Sequence, residues 1–241
     1  GASSGFGEAM AHVFAAAGWS LILTARRAQK LTDLAAALTA KGASVLPLVF
    51  DVKDKEKVFS TLQNLPTDWQ AIDVLVNNAG LALGRDSFEN ADLAWETMID
   101  TNVKGLIYVT KALLPGFVAR QSGHIINIGS TAGKEVYKDG NAYCASKHAV
   151  DALSKAMRID LLPHRIKVSV IHPGAADTEF STVRFKGDTQ KASQVYAGYE
   201  PLAAQDVAEI ALYLAQLPAH VCINDLTVTC LAQANSFYLH K

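Results

Sequence analysis

The chain has 241 residues, half of them apolar and 19% charged, with a formal net charge of -1. That apolar share can bury one large core, and no proline- or serine-rich linker divides the chain. The near-balanced charge excludes a nucleic-acid surface, which needs a concentrated basic face, and the apolar runs are too short and too interrupted by charge to span a bilayer. Three cysteines, Cys144, Cys222 and Cys230, lack metal-ligand spacing, which suits reduced thiols in a cytoplasm and no metal.

The first residues, Gly1-Ala2-Ser3-Ser4-Gly5-Phe6-Gly7, precede a helix-period run through Ala9, Val13, Phe14 and Ala17 that stops near Gly18. Glycines there allow a tight turn and let a phosphate approach the N–H groups at the helix start. Ser20 to Ala25 is a continuous apolar run, the mark of a strand covered on both faces. Arg26 and Arg27 follow; two guanidinium groups at a helix start oppose the helix dipole, which gives them reason to face an anion. A helix from about Ala28 to Lys41 leads to a strand over roughly Ser44 to Phe50, ending in Asp51-Val52, and Asp51 also suits capping of the helix that follows.

A third apolar strand from Ile72 ends in Asn77-Asn78-Ala79-Gly80. From Asp92 to about Gln121 a long helical pattern carries Leu93, Ile99, Val103, Leu106, Thr110, Leu113 and Phe117 on one face, with Asn102 inside it. The strand from His124 to Gly129 ends at Ser130, where α/β folds place chemistry. A loop then leads to the helix bearing Tyr143 and Lys147, one turn apart on one face. An ammonium so placed would stabilise a phenolate and lower its pKa from about 10. In the same helix Ala142, Ala145, Ala149, Ala152 and Ala156, continued by Ile159, form a smooth row that admits either the chain's own sheet or the same helix of a second subunit.

A fifth strand, Lys167 to His172, ends in Pro173-Gly174 with Thr178 beyond it. The segment around Arg184 and Lys186 is polar and without periodicity, and either cation suits an anionic ligand. A helix from Pro201 to Leu217 and a strand near Leu226 to Thr229 complete the pattern of strands alternating with helices, which predicts an α/β fold with a doubly wound parallel sheet.

Ser130 with Tyr143-x-x-x-Lys147, Gly1-x-x-x-Gly5-x-Gly7 and Asn77-Asn78-Ala79-Gly80 together resemble the signature of the short-chain dehydrogenase/reductase family. The resemblance covers nearly the whole chain and implies a single-domain Rossmann-like fold with about seven strands and helices on both faces. It also implies a central strand before Gly1, so the folded protein is expected to be longer than these residues. The implied cofactor is NADP(H) rather than NAD, because Ala25 stands where NAD-using relatives carry an acidic residue and Arg26-Arg27 suit a 2′-phosphate. By resemblance, Gly1, Ser3, Ser4, Gly5, Phe6 and Gly7 meet its phosphates, Asp51 and Val52 the adenine, and Asn78, Ala79 and Gly80 a ribose. Pro173, Gly174 and Thr178 meet the nicotinamide and a phosphate.

The resemblance likewise makes Tyr143 the acid–base group and Ser130 the donor to the substrate oxygen. Lys147 holds the nicotinamide ribose and lowers the tyrosine pKa, and Asn102 holds a water through a local break in helical hydrogen bonding. Residues 178–200 correspond to a substrate lid, with Arg184 and Lys186 as an anion clamp, and a homodimer or homotetramer is implied. The run Thr178–Asp188 is similar to that of bacterial NADP-dependent 3-hydroxy acid dehydrogenases and of sulfoacetaldehyde reductases. The expected substrate is therefore a small anionic carbonyl compound or its alcohol, such as serine, allo-threonine or 3-hydroxypropionate, with sulfoacetaldehyde reduction to isethionate as the alternative. A reading from another class, an NADP(H)-binding sensor without catalysis, predicts loss of Ser130, Tyr143 or Lys147; all three are present.

Overall fold

The computed structural model describes all residues except 192 and 193. The elements begin with α1 (Gly5–Ala16), β1 (Leu21–Ala25), α2 (Ala28–Thr39), β2 (Val45–Val49), α3 (Lys55–Leu62) and β3 (Val74–Asn77). Next come α4 (Ala94–Ile99), α5 (Leu106–Arg120), β4 (Gly123–Ile128), α6 (Asn141–Leu161) and β5 (Ile166–Pro173). The chain closes with β6 (Ala176–Asp177), α7 (Glu179–Arg184), α8 (Thr189–Gln194), β7 (Leu202–Ala203), α9 (Ala204–Gln216) and β8 (Asp225–Val228).

All six apolar runs read as strands become strands, each parallel to its neighbour. β1 pairs with β2, and a second ladder runs β3-β4-β5-β8. Among the described residues no ladder joins β1 to β3; their facing edges bound a cleft of about 530 Å³ lined by Met10, Phe14, Leu21, Leu23, Val74 and Val76 among others. Strand geometry sends alternate side chains to opposite faces. Ile126, Ile128 and Ile171 meet Met10 and Phe14 of α1 and Val207, Ala208, Ala211 and Leu214 of α9. Leu75, Ile125, Ile166 and Val168 turn the other way, onto Phe117 of α5 and Leu161 of α6. Both faces are thus covered, as a parallel sheet requires.

The long helix predicted from Asp92 is interrupted. Residues Asp100–Gly105 form a π-helical turn between α4 and α5, which is the local break expected at Asn102. Two short helices, α7 and α8, occupy the segment that shows no periodicity in sequence, because six residues are too few to display one. α7 is started by Thr178, whose Oγ1 accepts the Phe180 N–H at 3.2 Å. The helix after β2 is capped by Asp54, whose carboxylate accepts the Lys57 N–H at 3.0 Å; Asp51 binds the Lys53 N–H instead. In the row of small residues on α6, Ala145, Ala152, Ala156 and Ile159 are exposed and Ala142 and Ala149 half-buried, whereas Tyr143, Ser146, Lys147, Val150 and Ser154 are buried.

Phe117 is 1% exposed at the centre of the cluster that joins β3, β4, β5 and α6. Phe117→Ala is expected to lower the unfolding free energy by about 3–5 kcal/mol through lost transfer and the cavity left behind. Phe88→Ala, at a site 87% exposed, should change it by less than about 0.5 kcal/mol in the same urea titration.

Candidate active site

The turns after β1, β2, β3, β4 and β5 converge at the C-terminal edge of the strands. The Ala2 N–H binds the Thr24 carbonyl at 2.9 Å, which fastens the glycine-rich turn to the end of β1. Gly5 sits at φ +53°, a left-handed conformation. A side chain on Gly7 would place Cβ 2.0 Å from the Gly1 carbonyl oxygen, and one on Gly1 would lie 2.9 Å from Ala79 Cα. Asn78 closes the arrangement by donating to the Gly1 carbonyl at 3.0 Å.

This packing leaves a cavity of about 270 Å³ along the turns. Fifteen of the eighteen residues expected at a dinucleotide line it: Gly1, Ser3, Ser4, Gly5, Phe6, Arg26, Arg27, Asp51, Val52, Asn78, Ala79, Gly80, Tyr143, Lys147 and Thr178. Gly7 instead packs beneath the turn, and Pro173 and Gly174 line the neighbouring cavity. Arg26 faces Asp51 at 3.8 Å. Arg27 donates to Ser3 Oγ at 3.1 Å, to the Ser3 carbonyl at 2.9 Å and to Glu179 at 2.8 Å. Glu179 also takes Lys30 at 2.9 Å, and these two cations hold its carboxyl below the usual range. Backbone N–H groups in a tight turn, cations at one end and a phenol with an ammonium at the other fit the phosphates, 2′-phosphate and nicotinamide end of NADP(H).

Tyr143 and Lys147 are both buried on α6. Lys147 Nζ donates to the Ile128 carbonyl at 2.9 Å and lies 6.0 Å from the centre of the Tyr143 ring. Removal from water lowers the ammonium to about 8. Burial raises the Tyr143 phenol, and the hydrogen bond with Ser130 and the charge of Arg184 only partly oppose it. Lys147 gives one of its three N–H groups to the Ile128 carbonyl, and desolvation is the largest influence on the phenol. Ser130 begins a short 3₁₀ turn, its Oγ accepting the Ala132 N–H at 3.1 Å. Asn102 spends its amide on the Leu81 N–H at 2.9 Å, the Leu81 carbonyl at 2.8 Å and Ser146 Oγ at 3.0 Å, which pins the π-helical turn to the strand end and to α6.

A second cavity, about 920 Å³, opens on the other side of Tyr143 and is lined by Ser130, Tyr137, Pro173, Gly174, Arg184 and the chain near Gln233. Arg184 Cζ stands 5.6 Å from the centres of both the Tyr143 and Tyr137 rings, and its Nη2 donates to the Tyr137 hydroxyl at 2.8 Å. Its Nε is buried without a partner. Lys186 also borders the cavity, where it is largely exposed and paired with Asp92 at 2.7 Å. Arg85, 5.6 Å from the centre of the Tyr137 ring, and Tyr137 itself are functional candidates that sequence reasoning misses, because they lie on loops without pattern or motif.

The family model for short chain dehydrogenases matches residues 1–189. The chain is 46% identical over 236 residues to the NADP-dependent 3-hydroxy acid dehydrogenase YdfG of Salmonella typhi, covering 97% of this chain and 94% of the relative. It is 45% identical over 240 residues to sulfoacetaldehyde reductase 2 of Chromohalobacter salexigens, covering 99% and 95%. Among solved structures, the closed form of serine dehydrogenase complexed with NADP+ superposes with a TM-score of 0.95 at 44% identity, covering 100% of this chain and 97% of the other. The chain belongs to the short-chain dehydrogenase family.

Proposed function

We propose that this chain is an NADP(H)-dependent oxidoreductase that interconverts a small anionic carbonyl compound and its alcohol, most simply a 3-hydroxy acid. The observation that carries the reading is that the two cavities meet around Tyr143, which lines both together with Phe6, Gly129, Thr178 and Phe180, with Lys147 on the cofactor side and Ser130 and Arg184 on the substrate side. When bound, NADPH supplies a hydride to the carbonyl carbon. Ser130 donates a hydrogen bond to the carbonyl oxygen, and Tyr143 gives that oxygen its phenolic proton, so carbon and oxygen together gain the two hydrogens of the alcohol. A phenol raised by burial is fully protonated at neutral pH, which is the form reduction needs. Oxidation needs phenolate, and the Lys147 ammonium, which gives only one of its three N–H groups to the Ile128 carbonyl, lies 6.0 Å from the ring centre with charge and donors left to stabilise it.

Substrate charge is read by Arg184, whose guanidinium lines the cavity and whose Nε is a donor already desolvated and without a partner. Its Cζ stands 5.6 Å from the centre of the Tyr143 ring, which supports an anion a short distance from the reacting oxygen. Malonic semialdehyde and sulfoacetaldehyde both have that spacing, and a guanidinium suits carboxylate and sulfonate alike. The similarity to YdfG and to sulfoacetaldehyde reductase 2 supports this pair of candidates.

Steady-state kinetics with malonic semialdehyde, sulfoacetaldehyde and a neutral methyl ketone tests the reading. Arg184→Met should lower kcat/KM for the anions by about a hundredfold, the cost of losing a charge-assisted hydrogen bond in a dry site, and change it little for the ketone. A native enzyme that prefers the ketone would overturn the anion assignment. Tyr143→Phe should abolish turnover while NADPH affinity, followed by nucleotide fluorescence, stays nearly unchanged; substantial residual turnover would remove Tyr143 from the mechanism.

The buried Lys147 gives a further expectation. Its folded value of about 8 lies below the ordinary 10.5, so between these limits the unfolded chain binds more protons and stability rises with pH. Below pH 8 the folded state carries the full cost of the buried ammonium. Lys147→Met should therefore stabilise the cofactor-free protein at pH 7 by about 1–3 kcal/mol while removing activity. That gain should fade by pH 10.5 in urea denaturation; a destabilised variant at pH 7 would show that the Ile128 bond outweighs desolvation.

A further inference from the structure

Beneath Ser130 lies a buried polar cluster that none of the steps above uses. His172, the residue before Pro173 in β5, is 0% exposed. Its Nδ1 lies 3.0 Å from the Ser130 carbonyl oxygen and 3.4 Å from the Ser130 nitrogen. Its Nε2 is buried without a hydrogen-bond partner, 3.5 Å from Asp151 Oδ1 and 3.4 Å from Asp225 Oδ2. The Lys134 ammonium sits on those same two oxygens, at 2.9 and 2.5 Å, and Lys155 takes the other oxygen of Asp151 at 2.6 Å. The cluster thus already contains its cation, and it ties together the turn after β4, helix α6, β5 and β8.

The proton on the imidazole can be assigned from these contacts. A carbonyl oxygen only accepts, so the 3.0 Å contact requires Nδ1–H to donate to Ser130, and the longer approach of the Ser130 N–H is not a bond in that tautomer. Burial and the Lys134 charge lower the basicity of the ring more than the Ser130 carbonyl, Asp225 and Asp151 raise it, which keeps the ring neutral at pH 7. Its bare Nε2 then faces two carboxylates with no bond to either, and Lys134 offsets the repulsion. The ring cannot turn over without presenting a C–H to the Ser130 carbonyl. Gly129 leaves it room, since a Cβ there would lie 2.6 Å from Nδ1.

We propose that His172 is a positioning residue for the reaction: its imidazole, braced by the Asp151–Asp225–Lys134 cluster, holds the Ser130 carbonyl and so sets the Ser130 hydroxyl in place beside Tyr143. The inference rests on the catalytic role given to Ser130 above. No proton passes along this path, because the imidazole meets the backbone of Ser130 and not its hydroxyl.

The test uses the full chain with NADPH and the best anionic carbonyl substrate. Asparagine carries an N–H near the place of Nδ1, whereas glutamine carries one near Nε2. His172→Gln should lower kcat by about ten- to a hundredfold with KM and NADPH affinity within about threefold of native, and His172→Asn should recover at least about tenfold of that loss, as expected for groups that act through a catalytic residue. Asp225→Asn acts on Ser130 through the ring and also, by way of Lys134, through the turn that Ser130 begins, so it should lower kcat when His172 is present and do so by clearly less beside His172→Asn. Native kcat in His172→Gln, equal losses in the Gln and Asn variants, or multiplying effects of Asp225→Asn and His172→Asn would overturn the inference. If His172→Gln fails to fold, the Asp225 comparison decides alone. Ser130→Ala with undiminished turnover would instead overturn the proposed site itself, whereas an inactive Ser130→Ala beside a fully active His172→Gln would overturn only the role of His172.

Discussion

Everything in the site depends on one helix face being polar and buried at once. Tyr143, Lys147, Asp151 and Ser154 recur at spacings of four, four and three along α6, all on the side packed against the strands. A face like that is unfavourable unless the sheet supplies partners, since each unpaired buried polar group costs about 1–3 kcal/mol and an ammonium more. β4 supplies them: Asn127 donates to Ser154 at 2.9 Å, and the Ile128 carbonyl receives Lys147 at 2.9 Å. Asn127 in turn accepts from Asn77, which also donates to Thr110, at 2.9 and 3.0 Å, carrying the network into β3 and α5. The end of β4 is therefore what allows a lysine and a tyrosine to be buried next to each other: the Ile128 carbonyl serves Lys147, and Ser130 just beyond the strand serves Tyr143.

Much of this was legible in sequence, and the reasons differ by element. The strands were readable because two covered faces demand unbroken apolar runs, as in Ile125 to Ile128, where only Asn127 interrupts and is fully buried. The cofactor turn was readable because glycine is forced by contact distance at Gly1 and Gly7 and by backbone angle at Gly5. Residue identity reveals such a constraint without structure. Asn102 was placed correctly in a disturbed helix, although its side-chain contacts with Leu81 and Ser146 join residues far apart in the chain and carry no local signature.

The parts that were not legible depend on long-range placement. Nothing in the spacing of Tyr143 and Lys147 indicates that the Ile128 carbonyl would take one of the ammonium's N–H groups. Spacing gives neighbours on a helix; the strand opposite decides which way a flexible lysine points. Arg184 and Lys186 looked equivalent two residues apart, yet α7 ends between them. Arg184 is the last residue of that helix and turns toward Tyr137 and Tyr143, while Lys186, at φ +53°, leaves toward Asp92.

The short helix α7 also explains why chemistry and substrate choice are held with different firmness. At its start Glu179 engages Arg27 and Lys30 beside the cofactor cavity, and at its end Arg184 stands over Tyr143 in the substrate cavity. Six residues span only about 8 Å, so the lining of the two cavities is mechanically linked. The ion pairs at the start are nearly half exposed, and pairs of that kind contribute about 0–1 kcal/mol each. Ser130, Tyr143 and Lys147, by contrast, hang from strand ends and a helix whose burial involves many times that energy. On the proposed assignments, a change in α7 would therefore move Arg184, and with it the preferred anion, at little cost to the fold and without displacing Ser130, Tyr143 and Lys147.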